Sequence, residues 1–115
     1  MSEHKSRQVE WAGSFKKQVK KLQKSGYDMS LLKTRMNQLI YNEPLPASAK
    51  EHWLTGNWKE RRECRVRDKI KDDWLLIYSI WDANGHPVSF DDDGSDIENQ
   101  TIIFEATGTH AELFR

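Results

Sequence analysis

The chain has 115 residues, the length of one ordinary domain and too short for two independent hydrophobic cores. Its 18 Lys/Arg balance 18 Asp/Glu, and no stretch approaches 18 consecutive apolar residues, which argues against a polyelectrolyte tail and against a membrane-spanning chain. The neutral total conceals two halves: residues 1–65 hold fourteen Lys/Arg and seven Asp/Glu (+7), whereas residues 66–115 hold four and eleven (−7). A local positive surface can therefore face nucleic acid despite the average.

A lone Cys64 excludes an internal disulfide and leaves no cysteine pair or quartet for zinc, so a reducing compartment is expected, with no metal or cofactor. Met1-Ser2-Glu3-His4-Lys5 is followed by no apolar run, which makes a soluble cytoplasmic protein with no membrane contact the expectation.

Val9 and Trp11 alternate with polar neighbours as in a short edge strand. Ser14 is a candidate cap for a helix with Phe15, Val19 and Leu22 on one stripe and Lys16, Lys17, Lys20, Lys21 and Lys24 around the rest; Gly26 ends it. Asp28 caps a second helix, whose Met29, Leu32, Met36, Leu39 and Ile40 form a 3.6-residue face that Pro44 and Pro46 terminate. The two read as a helical hairpin on a sheet.

Residues 44–60 read as a loop, with a turn of helix possible between Ala47 and Trp53. Lys50-Glu51-His52-Trp53 then leads through Gly56 into a strand whose Arg62, Cys64 and Val66 share one face, and Arg61, Glu63, Arg65 and Arg67 the other, which should be open. Asp68–Asp72 form a polar turn before Trp74–Trp81, an almost wholly apolar strand that reads as central and covered on both faces. The connection 82–100 is long and contains the acidic run Asp91-Asp92-Asp93-Gly94-Ser95-Asp96, whose spacing does not match a calcium loop and which reads as a solvated segment. Strand character resumes over Thr101–Ala106, with Ile103 facing away from Ile102 and Phe104. The expected architecture is α+β: an N-terminal strand and helical hairpin packed on an antiparallel sheet, forming one domain over residues 1–115 with 82–100 as an extended acidic hairpin connection.

Leu54-Thr55-Gly56-Asn57-Trp58-Lys59, Arg62-Glu63-Cys64-Arg65-Val66, Asp73-Trp74-Leu75-Leu76-Ile77-Tyr78 and the ending Gly108-Thr109-His110-Ala111-Glu112-Leu113-Phe114 resemble the YafQ branch of the RelE/ParE toxin superfamily. The resemblance runs from Val9 onward and implies the toxin of a toxin–antitoxin pair, which enters the ribosomal A site and cuts mRNA without a metal ion. It also implies site residues: His52 for the loop histidine, Glu63 for the strand carboxylate, Asp73 for the aspartate before the central strand, and His110 with Phe114 for the C-terminal pair. Arg65 stands where the family has a strand histidine, replacing a group that exchanges protons near neutral pH with one that stays charged. The acidic connection is also longer than in close relatives.

Metal-free RNA cleavage needs a base for the 2′-hydroxyl, donors for the crowded phosphate and an acid for the departing 5′-oxygen. His110 is the candidate acid, and His52 or Glu63 the base. Arg65 is the candidate phosphate clamp, helped by Arg62 or Arg67, although Arg62 can instead face the core. Asp73 would orient a histidine or the ribose, and Phe114 would stack on a base. Rival readings are a RelE-fold binding protein with weak or absent nuclease activity and a ParE-like gyrase inhibitor. The implied partners are a cognate antitoxin, whose acidic segment would cover the basic face, and A-site mRNA, with operator DNA reached only through the antitoxin.

Overall fold

The computed structural model describes residues 5–67 and 73–114, so the polar turn expected at Asp68–Asp72 lies outside the described residues. The elements are β1 (Gln8–Trp11), α1 (Gly13–Lys24), α2 (Met29–Ile40), β2 (His52–Trp53), β3 (Arg62–Arg65), β4 (Trp74–Trp81), β5 (Thr101–Thr109) and α3 (His110–Leu113). The strands form one sheet in the order β1-β5-β4-β3-β2. Neighbours are antiparallel except β1 and β5, which run parallel. The sheet is thus mixed, where an antiparallel one was expected: the α1–α2 hairpin is the crossover that lets the first strand lie alongside the last. Among the described residues no helix is long and apolar enough to cross a membrane.

The helices cover one face of the sheet. Phe15 and Leu22 of α1 and Leu32, Met36 and Leu39 of α2 bury against Trp74, Leu76, Tyr78 and Ile80 of β4 and Ile102 and Phe104 of β5. Helix α1 begins one residue before Ser14, with Ala12 as an extended N-cap that offers no side-chain acceptor; the Ser14 hydroxyl instead reaches the Glu105 carbonyl at 3.4 Å. Its C-terminus closes as expected, since Gly26 at φ 85° allows Gly26 N–H to reach the Gln23 carbonyl and Tyr27 N–H the Leu22 carbonyl. Tyr27 then meets Trp74 edge-on at 5.0 Å. Asp28 caps α2 by accepting the Ser30 N–H at 2.9 Å.

β4 is buried along seven of its eight residues, as its continuous apolar run requires. Opposite it, β5 carries a bulge: Ile77 pairs with Ala106 but Tyr78 with Phe104, leaving Glu105 as the extra residue. The bulge re-phases the strand, so that Ile102 and Phe104 before it and Thr107 after it all point to the helices. Thr107 accepts from the Trp74 indole at 3.0 Å, donates to the Leu75 carbonyl at 2.8 Å, and its N–H is taken by Gln18 of α1 at 2.9 Å.

The connection 82–100 is more than a solvated loop. Val88 is buried and donates its N–H to Ile80, two 3₁₀ turns follow at Phe90–Asp92 and Ile97–Asn99, and buried Gln100 donates to the Ser95 carbonyl at 2.8 Å. Buried Arg7 ties the segment to the rest through Gln100 Oε1 at 2.7 Å and the Asp93 carbonyl at 2.8 Å. The hydroxyl of Thr107 yields a direct check of the β4–β5 join. Thr107→Val keeps the shape but strands the buried Trp74 indole N–H, and chemical denaturation should show a loss of about 1–3 kcal/mol.

Candidate active site

The site is built on the sheet face away from the helices, at the ends of β3 and β5. Alternation along β3 sends Cys64 and Arg62 to the helix side and Glu63 and Arg65 to the other, where they sit in register with Ile77 and Leu75. A cavity of about 270 Å³ there is lined by Lys50, His52, Glu63, Arg65, Asp73, Leu75 and His110. The three expected proton-transfer groups, the expected orienting Asp73 and one expected phosphate ligand thus converge from segments 58 residues apart (His52 to His110).

Glu63 is only 7% exposed although it belongs to the face expected to be open. Ile77 beside it and His52 across the edge exclude water. That burial raises its carboxyl above the ordinary carboxylate range, against the opposing pull of His52, His110 and Arg65. Its Oε2 is buried with no hydrogen-bond partner among the described residues. The Arg65 guanidinium also donates no hydrogen bond to another described residue, so an anion and a cation face one cavity with bonding capacity to spare.

His52 Nδ1 lies 2.7 Å from the Lys50 carbonyl, which can only accept. The proton of the neutral ring is therefore on Nδ1, and Nε2 looks toward Glu63 Oε1 at 3.5 Å. Lys50 makes this possible by adopting the left-handed conformation at φ 49°, which turns its carbonyl under the ring. No local sequence signal marks Lys50 as a site residue, because its contribution is a backbone atom and a place in the cavity wall.

His110 is the first residue of α3, whose N-terminus is a reciprocal capping box. Thr109 accepts the Glu112 N–H, and Glu112 Oε1 accepts the Thr109 N–H at 2.9 Å. Glu112 Oε2 also receives Lys21 of α1 at 2.9 Å, and that hydrogen bond foremost holds the carboxyl down to about 2. A Cβ at Gly108 would lie 3.1 Å from Glu112 Oε1, so glycine there leaves room for the carboxylate to fold back. Asp73 accepts the backbone N–H of His110 at 2.9 Å, which assigns it to holding the start of α3. Phe114 stacks obliquely on the His110 ring, centroids 4.9 Å apart.

Two expected phosphate ligands are elsewhere. Arg62 is 0% exposed on the helix side, held by both oxygens of Asp93 at 2.9 and 2.7 Å and by the Val88 carbonyl, so the alternative that it faces the core is the correct one. Arg67 leaves the Glu63–Arg65 row because β3 ends at Arg65. Its guanidinium lies over the Tyr27 and Trp74 rings, 5.4 Å from each, on the helix side. Cys64 is buried packing, and burial pushes its thiol up.

A helical hairpin on a five-stranded mixed sheet is the RelE-like fold of the small RelE/ParE-type toxins. The family model described as "Bacterial toxin of type II toxin-antitoxin system, YafQ" matches residues 7–115, and the chain belongs to that family. It is 39% identical over 109 residues to the mRNA interferase toxin YafQ of Escherichia coli K12, covering 94% of this chain and 96% of the relative. YafQ in the E. coli DinJ–YafQ toxin–antitoxin complex superposes with a TM-score of 0.70 at 38% identity, covering 96% and 99% of the two chains. A histidine-to-glutamine mutant of E. coli YafQ gives 0.71 at 37% identity, covering 95% and 99%.

Two pH profiles follow. Glu112 has a depressed carboxyl, so its stabilisation is complete above the ordinary value of 4.5 and is lost as pH falls from there through about 2. The stability gap between the parent and Glu112→Gln, followed by denaturation, should close over that window. Glu63 has a raised carboxyl, so its ionisation opposes folding; Glu63→Gln should match the parent below 4.5 and become the more stable protein as pH rises toward neutrality.

Proposed function

We propose that this chain is the mRNA-cleaving toxin of a type II toxin–antitoxin pair, acting on mRNA in the ribosomal A site through attack of the 2′-hydroxyl, without a metal ion. The observation that carries the chemistry is the meeting, in one cavity, of a buried carboxylate oxygen without a partner, an arginine with unused donors and a histidine at a capped helix start.

In this reading the Glu63–His52 pair supplies the base. The Glu63 carboxylate accepts the 2′-hydroxyl proton, and its raised affinity for protons suits it to that task. His52 Nε2, beside Oε1, completes the base and becomes a donor to Glu63 when its ring is protonated. As O2′ bonds to phosphorus, Arg65 stabilises the charge on the non-bridging oxygens, and its planar fork suits two of them at once. The P–O5′ bond breaks while protonated His110 delivers its proton to O5′. The products are a 2′,3′-cyclic phosphate, or the 3′-phosphate after hydrolysis, and a 5′-hydroxyl. Phe114 keeps the imidazole oriented and leaves an aromatic surface for a base.

Arg62 and Arg67 are not assigned to RNA, since one is enclosed and the other is spread over core aromatics. The chain acts as one domain over residues 1–115, with 82–100 as part of its framework. The partner is a cognate antitoxin, as the DinJ–YafQ relative has, whose acidic segment would cover the lysines of α1 and the β3 edge; operator DNA would be reached only through that partner. One observation favours a second reading, a toxin-fold binding protein without cleavage: Arg65 occupies the strand-histidine position and cannot shuttle protons.

A translation reaction with end-labelled mRNA separates the two. The parent should cut within translated codons; His110→Ala and Glu63→Gln should lower kcat by about 10²–10⁴-fold, and Arg65→Ala by about 10²–10³-fold. Absence of cleavage by stoichiometric parent protein with ribosomes present would transfer the assignment to the binding reading.

A further inference from the structure

β2 is two residues long and lies at the edge of the sheet, pairing His52 with Glu63 and Trp53 with Arg62, with one further bond from Leu54 N–H to the Arg61 carbonyl at 2.8 Å. So short a pairing, with nothing before His52, is a slender hold for a residue whose ring must keep its angle to a carboxylate. The residues on either side of His52 supply the rest, and both are fastened on the opposite face of the sheet. The Trp53 ring centroid lies 4.8 Å from Arg62 Cζ. Glu51 accepts the Tyr78 hydroxyl and lies 3.7 Å from Arg62 Nη1.

Arg62 is in turn placed by the 82–100 connection. Asp93 takes both terminal nitrogens, Val88 offers its carbonyl, and the Phe90 ring centroid lies 4.2 Å from Cζ while meeting Trp53 edge-on at 5.3 Å. Arg7 fixes Asp93 from behind through the latter's carbonyl. Asp93 lies across the sheet from the catalytic cavity and is not among its lining residues. Its carboxylate is joined to the segment that carries His52 through Arg62.

We propose that Asp93, acting through Arg62 and assisted by Phe90, is a positioning residue for His52, and that the acidic connection thereby tunes the base of the reaction from the far side of the sheet. This rests on the catalytic reading of His52 given above. Neutralising Asp93 leaves Glu51 as the carboxylate nearest a buried guanidinium, which draws Glu51 off Tyr78 and shifts the edge strand that carries His52. The Nδ1 bond to Lys50 and the 3.5 Å approach of Nε2 to Glu63 both depend on that strand.

The test combines ring-nitrogen NMR shifts of ¹⁵N-histidine-labelled protein with cleavage kinetics for the parent, Asp93→Asn, Asp93→Glu and Phe90→Ala, each normalised to folded protein. The parent should show neutral His52 protonated at Nδ1. Asp93→Asn and Phe90→Ala should show a mixture of tautomers, a kcat at least about 10-fold lower and a KM within about two-fold, with Asp93→Glu recovering part of both. Phe90 is already 36% exposed, so its truncation keeps the test open if Asp93→Asn does not fold. Parent tautomer and parent kcat in folded Phe90→Ala or Asp93→Asn would overturn the proposal. A parent that does not cleave would fail the nuclease reading alone, and the tautomer comparison would still decide this one.

Discussion

Two adjacent residues of β3 bury opposite charges on opposite faces of one sheet, and the site depends on that constraint. Arg62 and Glu63 are side by side in sequence, yet strand alternation sends one into the helix-side core and the other to the cavity on the opposite face. Each must find compensation on its own side. Arg62 finds it in Asp93, Val88 and two aromatic rings, and becomes fully bonded except at Nε. Glu63 has His52, His110 and Arg65 facing it but is buried and keeps an oxygen without a partner among the described residues, and that burial is why its carboxyl holds protons more tightly than usual. The bonds to Arg62 fill the site on one face; on the other, the carboxylate is left with bonding capacity at the cavity.

The remaining groups arrive on short elements that would not hold their shape alone. α3 has four residues, too few to persist without tertiary support, and it is pinned at its first turn by Thr109, Glu112, Lys21 and Asp73. β2 has two residues and is pinned by its neighbours' contacts with Arg62. The two histidines of the cavity therefore stand on elements whose order is borrowed: from α1 in the case of His110, and from the connection between β4 and β5 in the case of His52. Arg65 needs no such support, since its strand pairs with the central β4, where it sits opposite Leu75. A fixed cation flanked by two positioned rings is a coherent arrangement for a reaction in which charge develops on phosphate.

Periodicity made the helical hairpin, the central strand and the face assignments of Cys64, Glu63 and Arg65 legible in the sequence, because each rests on local spacing of apolar residues. The parallel pairing of β1 with β5 was not legible, since an edge strand carries the same alternation whichever neighbour it joins. Arg62 looked like a phosphate ligand because its counter-ion is 31 residues away in a segment rich in interchangeable aspartates. Arg67 continued the open row on paper, but the strand ends at Arg65 and the chain turns toward Tyr27 and Trp74. Lys50 was missed because its part is played by a carbonyl in a left-handed turn, and the anchoring of the acidic connection was missed because Arg7, Val88 and Gln100 carry no shared pattern. His52, Glu63, Asp73 and His110 were named through resemblance, and the fold brings all four to one cavity.

The most direct test of the central claim is the fate of a reporter mRNA carrying one 2′-deoxynucleotide at the position the toxin cuts, translated beside its all-ribose twin. If the Glu63 and His110 side chains serve an attack by the 2′-hydroxyl, the all-ribose message yields fragments ending in 2′,3′-cyclic phosphate or 3′-phosphate and the substituted message is spared at that position. Cleavage of the deoxy-substituted message at the same place, or fragments ending in a 3′-hydroxyl, would contradict that chemistry.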